Sequence, residues 1–181
     1  MRTLLTEQEL NEGVDRLAKE IDSHYGADRP LTLIAVMTGS LVLFADLIRR
    51  LSMPQRIGVI QAASYRGGMR SGELTVDAAM LIDVANRNVL LVDDIFDTGK
   101  TLDHLTVLIR DLGAKSVKSA VLLHKQREHV VDLRPDFAAF QIPDEFVVGY
   151  GLDYLDMYRN LPYLGVLEPA EIQATADQAA S

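Results

Sequence analysis

The chain has 181 residues, 48% hydrophobic and 24% charged, the balance of one soluble globular domain and not of a disordered or fibrous chain. Its 18 Lys and Arg against 26 Asp and Glu give a formal charge of −8, which argues against a nucleic-acid or anionic-membrane binder. A complete lack of Cys excludes disulfides, thiolate metal sites and thiol nucleophiles.

The opening, MRTLLTEQEL, has no basic region followed by an apolar core, and no apolar run approaches the roughly 20 residues of a membrane span. A cytoplasmic setting is expected. Thr6 and Glu9 then have capping-box spacing, and Leu10, Val14, Leu17, Ile21 and Tyr25 follow at helical intervals. Gly13 lies inside this helix and weakens it by up to ~1 kcal/mol relative to Ala. After Pro30, Leu31–Met37 reads as a buried strand. Thr38-Gly39-Ser40 reads as a turn, with Ser40 as cap of a helix whose stripe is Leu41, Phe44, Leu47, Ile48 and Leu51. A strand over Arg56–Ala63 completes a βαβ unit and favours a parallel sheet.

Ser64–Val76, SYRGGMRSGELTV, has three Gly, two Arg and no core periodicity. A loop of that length in a small domain is more often functional than not, the plain alternative being a hairpin tip. The strand–helix pattern then repeats: Asn88–Asp93 as a strand, Thr98–Leu112 as a helix stopped by Gly113, and Val117–Leu123 as a strand. Phe137–Ile142, Phe146–Tyr150 and Tyr163–Val166 have the character of short strands, and Ala170–Ser181 that of a weak helix or frayed tail.

The chemistry concentrates in Val89–Leu102, VLLVDDIFDTGKTL. Four apolar residues cross the core, Asp93 and Asp94 stand at the carboxyl end of the strand, Asp97 follows, and Thr98-Gly99-Lys100-Thr101 opens a helix. Ligands of open parallel sheets bind beyond the carboxyl ends of the strands, and a helix N-terminus there offers free N–H groups to an anion. Carboxylates beside a phosphate cradle imply Mg²⁺, which binds through few carboxylates, water and substrate oxygens. Gly99-Lys100-Thr101 is not a P-loop: the position that motif reserves for its first Gly holds Asp94. His24, His104, His124 and His129 have no metal-ligand spacing, and Tyr154 and Tyr158 sit four apart, which fits a helical packing pair as well as a ligand contact.

VLLVDDIFDTGKTL resembles the phosphoribosyl-pyrophosphate (PRPP) signature of type I phosphoribosyltransferases. Arg134–Pro169, RPDFAAFQIPDEFVVGYGLDYLDMYRNLPYLGVLEP, resembles the 6-oxopurine branch of that family. The resemblance covers roughly residues 5 to 168. It implies an α/β fold with a central, mostly parallel sheet flanked by helices and a small hood from both chain ends. The domain would span 1–169, with a tail over 170–181. It implies Mg²⁺-dependent transfer of phosphoribose from PRPP to hypoxanthine or guanine, in a homodimer or homotetramer. A xanthine-preferring enzyme and a nucleotide- or RNA-binding regulator are the alternatives, the second disfavoured by the charge of −8.

The resemblance also implies residue roles. Asp93 and Asp94 would hold the ribose hydroxyls, one of them through Mg²⁺, and Asp153 a second Mg²⁺ beside the purine. Asp97 would be the general base near purine N7. Thr98, Gly99, Lys100 and Thr101 would cradle the 5′-phosphate. Thr38, Gly39 and Arg159 would meet pyrophosphate, and Ser64 and Tyr65 would begin a closing lid. Lys125 would donate to purine O6, Phe146 would stack on the base, and the Val147 backbone would meet its pyrimidine edge. The chain departs from many relatives in having Thr38 for a Lys and Asp93-Asp94 for Glu-Asp.

Overall fold

A computed structural model describes residues 1–63, 75–77, 82–127 and 130–179. The expected lid residues Ser64 and Tyr65, and His129, lie outside the described residues.

The first helix, α1 (Glu7–Tyr25), begins as its sequence requires. The Thr6 side chain accepts from the Glu9 amide, and the Glu9 carboxylate accepts from the Thr6 amide, closing the capping box. Its stripe, Leu10, Val14, Leu17 and Ile21, is fully buried. Gly13 is there for more than propensity: a Cβ at this position would overlap the ring of Phe140 on a neighbouring strand. Gly13→Ala is therefore expected to cost about 1–3 kcal/mol in urea denaturation despite the better helix former. Phe140→Leu in the same chain should recover part of that loss, and a stabilised Gly13→Ala protein would mean that the ring gives way.

Strand β2 (Leu31–Met37) leads through residues 38–40 to helix α2 (Leu41–Ile48), and β3 (Gln55–Ala63) runs parallel to β2. Two expectations are corrected here. Ser40 does not cap with its side chain; its backbone is helical and its hydroxyl donates back to Val36 O at 2.6 Å. Leu41 is half exposed, because the buried face of α2 is Leu43, Phe44 and Leu47. The short strand β4 (Thr75–Asp77) pairs antiparallel with β3, so Thr75 and Val76 belong to a sheet and not to a loop, and the two strands form a hairpin.

Strand β5 (Asn88–Phe96) runs three residues beyond the expected end and carries Asp93 and Asp94 inside the strand. Helix α3 (Lys100–Asp111) starts two residues later than expected, because Gly99 at its N-cap has φ +84°. Leu112 lies past its end and is exposed. Strands β6 (Ser116–Lys125) and β7 (Phe137–Ile142) complete a six-stranded sheet of order β4-β3-β2-β5-β6-β7, parallel except for β4. The continuous apolar character of its central strands follows from burial on both faces. Leu33, Ala35, Leu90 and Val92 pack with α1 and α2, whereas Ile34, Val36, Val89 and Leu91 pack with Leu102, Leu105 and Ile109 of α3.

A second, three-stranded antiparallel sheet stands over one end of the first. It joins β1 (Arg2–Leu5), β8 (Val147–Val148) and β9 (Leu164–Val166) in the order β1-β9-β8. The last segment is helix α4 (Pro169–Ala179), tied back by Tyr158 Oη–Thr175 Oγ1 at 2.7 Å and by an ion pair between the Met1 amino group and Glu171. Tyr154 and Tyr158 are not a helical pair; both sit in a turn-rich segment where Leu155, Asp156 and Tyr158 have positive φ. No helix among the described residues is long and apolar enough to cross a membrane.

Candidate active site

The carboxyl ends of β2 and β5 open onto one cleft of about 670 Å³. Its lining brings together Thr38 and Gly39 after β2, Asp93, Asp94 and Asp97–Thr101 around the end of β5, and Asp153 and Arg159 from the hood side. A smaller cavity of about 190 Å³ adjoins it, lined by Lys125, Phe146, Val147 and Leu152. Asp94, Asp97 and Asp153 line both, so the two spaces meet at these carboxylates.

Each wall has a local cause. Gly39 faces Asp94 so closely that a Cβ would overlap the carboxylate, so only glycine fits at the turn. Gly99 combines its positive φ with contact on Phe96 and Val131, which leaves a Cβ no room. Gly99 itself brings no capping side chain to the first amides of α3 at the cleft, and one long hydrogen bond, Lys100 N–H to Thr98 Oγ1 at 3.5 Å, is the side-chain contact there.

The electrostatics divide the site. Burial, and then the neighbouring Asp94 charge, push the Asp93 carboxyl well above the usual carboxylate range. Burial also raises Asp94, opposed by hydrogen bonds and by the nearby Arg159. Arg159 pairs with Asp153 Oδ1 at 2.9 Å, and its Nη1 donates to Gly151 O at 2.8 Å. Among the described residues no three carboxylate, His or Cys groups form a metal-binding cluster.

At the smaller cavity the ammonium of Lys125 is buried, 3.3 Å from Asp144 Oδ1 and 3.9 Å from Asp97 Oδ1. Arg127 Nη1 donates to Asp97 Oδ1 at 2.9 Å and lies 3.4 Å from Asp144 Oδ1. Sequence reasoning did not single out Arg127 or Asp144. The available signal was weak: a second cation two residues after Lys125, at a strand end, and an acid two residues before Phe146. Phe146 is 43% exposed and meets Tyr154 edge-to-face at 5.4 Å, so it is not a core aromatic but part of the wall of the smaller cavity. Val147 is buried at the start of β8.

Comparison with known proteins agrees with this geometry. The phosphoribosyl transferase domain family matches residues 2–155. The hypoxanthine-guanine phosphoribosyltransferase of Bacillus subtilis (strain 168) is 40% identical over 170 residues, which is 93% of this chain and 94% of the relative. A crystal structure of a hypoxanthine-guanine phosphoribosyltransferase from Bacillus anthracis, with HEPES in its active site, superposes with a TM-score of 0.87 at 36% identity. That match covers 93% of this chain and 99% of the other. A structure of the Trypanosoma cruzi hypoxanthine phosphoribosyl transferase gives a TM-score of 0.89 at 35% identity, covering 100% and 96%. With a family match over most of its length and relatives of this similarity, the chain belongs to the phosphoribosyl transferase family.

Proposed function

We infer that the protein transfers the 5-phosphoribosyl group of PRPP to N9 of hypoxanthine or guanine, releasing pyrophosphate, as a purine-salvage enzyme. One observation carries this reading: a cleft that holds the N-terminus of α3 and a smaller aromatic-edged cavity meet at Asp94, Asp97 and Asp153, the place where two substrates would have to touch. The names of the relatives in Bacillus subtilis and Bacillus anthracis support the choice of base.

In this reading the amides and hydroxyls of Thr98–Thr101 hold the 5′-phosphate at the N-terminus of α3. Thr38, Gly39 and Arg159 take the pyrophosphate. As the bond from C1 of the ribose to pyrophosphate breaks, positive charge grows on the sugar, and the Asp93 and Asp94 carboxylates beside it stabilise that charge. Phe146 stacks on the purine, the Val147 backbone meets its pyrimidine edge, and Lys125 donates to O6. Asp97 accepts a proton from the imidazole ring as C1–N9 forms. Ser64 and Tyr65, outside the described residues, would begin the lid that keeps water from the cationic sugar.

Two buried acids side by side are costly as a pair of anions, which is why the Asp93 carboxyl is raised; a cation in the cleft removes that cost. The residues therefore suit Mg²⁺ shared with substrate oxygens and water, Asp93 and Asp94 on the ribose side and Asp153 on the purine side. When bound, the metal would offset charge on the leaving pyrophosphate. EDTA is expected to abolish IMP formation, and added Mg²⁺ or Mn²⁺ to restore it; full activity after exhaustive chelation would remove the metal from the reaction.

A further inference from the structure

Three consecutive hood residues, Gly149, Tyr150 and Gly151, have positive φ, 101°, 47° and 101°. Glycine takes this conformation freely, whereas tyrosine adopts it only where its surroundings hold it. Tyr150 is held at both ends. Its amide donates to Leu161 O at 2.8 Å, and its hydroxyl donates to Asp46 Oδ2 on α2 at 2.6 Å. Burial and the Asp46 carboxylate push the phenol up, so the hydroxyl remains a donor at working pH. Asp46 also pairs with Arg49, and Arg50 extends the network to Asp15 at 2.6 Å and Asn11 at 3.0 Å on α1.

The next residue, Gly151, lies against the backbone oxygen of Gly39, leaving no room for a Cβ; Gly39 in turn lies against the Asp94 carboxylate. The Gly151 carbonyl also receives Arg159 Nη1. The hydrogen bond to Asp46 thus ties α2 to the loop that packs on the turn after β2 and receives the guanidinium of Arg159. Neither Tyr150 nor Asp46 lines the cleft.

We propose that Tyr150 and Asp46 form a positioning pair for the pyrophosphate side of the site, holding Gly39 and Arg159 in register with Asp94. The proposal rests on the reading above, in which Gly39 and Arg159 meet pyrophosphate. Tyr150→Phe should raise KM for PRPP about tenfold, the scale of one hydrogen bond to a charged group, and leave KM for hypoxanthine within about twofold. Asp46→Leu should match it. Asp46→Asn keeps an acceptor for the hydroxyl and should stay close to the unmodified enzyme. The Tyr150→Phe/Asp46→Leu double variant should be no worse than either single change.

Equal shifts in both KM values, a lowered Tm with unchanged kinetics, or additive effects in the double variant would each overturn the proposal. An unmodified protein without PRPP turnover would overturn the reaction instead. In that case amide hydrogen exchange decides the pair separately. Exchange at Gly39 and Gly151–Asp153 should be faster in Tyr150→Phe, and unchanged exchange there would refute the positioning role.

Discussion

Asp97→Asn is expected to lower kcat by about 10²–10⁴ while changing KM for PRPP much less, because the amide keeps the shape of the carboxylate but cannot take a proton. Asp97 is well placed for the task. It stands where the two cavities meet, and Arg127 holds its Oδ1 at 2.9 Å, fixing the carboxylate's orientation. Steady-state and single-turnover rates of IMP formation check this together. If steady-state kcat holds but the single-turnover rate falls, product release is limiting in the unmodified enzyme and the proton transfer stands. An unchanged single-turnover rate would leave Asp97 without a catalytic role.

Adenine is expected to be a very poor substrate, by about 10⁴–10⁵ in kcat/KM against hypoxanthine, the range in which a site built to hydrogen-bond one group rejects its mismatch. The ammonium of Lys125 has three donors and no acceptor, and it is buried between Asp97 and Asp144. A 6-oxo group accepts from it, whereas the 6-amino group of adenine sets donor against donor in a partly dry cavity. Lys125→Ala should lower kcat/KM for hypoxanthine, leave PRPP binding nearly intact and narrow the gap to adenine. Adenine turnover equal to that of hypoxanthine in the unmodified enzyme would refute the 6-oxopurine assignment while leaving the PRPP site standing.

Parts of this structure were legible because their cause is local. The capping box at Thr6 and Glu9 and the apolar run Leu31–Met37, set off by Pro30, name their own elements. The run of acids and small residues after Val92 likewise marks the cleft, since a strand end, three carboxylates and a helix start are contiguous in sequence. What was missed depends on partners far along the chain. Strand β1 has four residues and no pattern of its own; β9, about 160 positions later, makes it a strand. Asp94 read as a residue beyond a strand ending at Asp93 because carboxylates seldom belong in one, yet β6 continues alongside and the ladder runs on to Phe96. The ion pairs joining Asp97 and Lys125 to Arg127 and Asp144 span three separate segments, and no spacing rule connects them. Gly13 shows the converse: read from propensity as a weakness, it is a socket for Phe140.

The pairing of β1 with β9 gives the two halves of the site different histories during folding. The cradle proposed for phosphate is made by neighbours in sequence, a strand, a three-residue turn and a helix, and its loop-closure cost is small. The small sheet that carries Val147 is complete only when residues 2–5 meet residues 164–166, a closure over nearly the whole polypeptide. On a ribosome, β1 emerges first and waits for a partner made almost last. The chain is thus expected to acquire a place for phosphoribose before it can tell one purine from another.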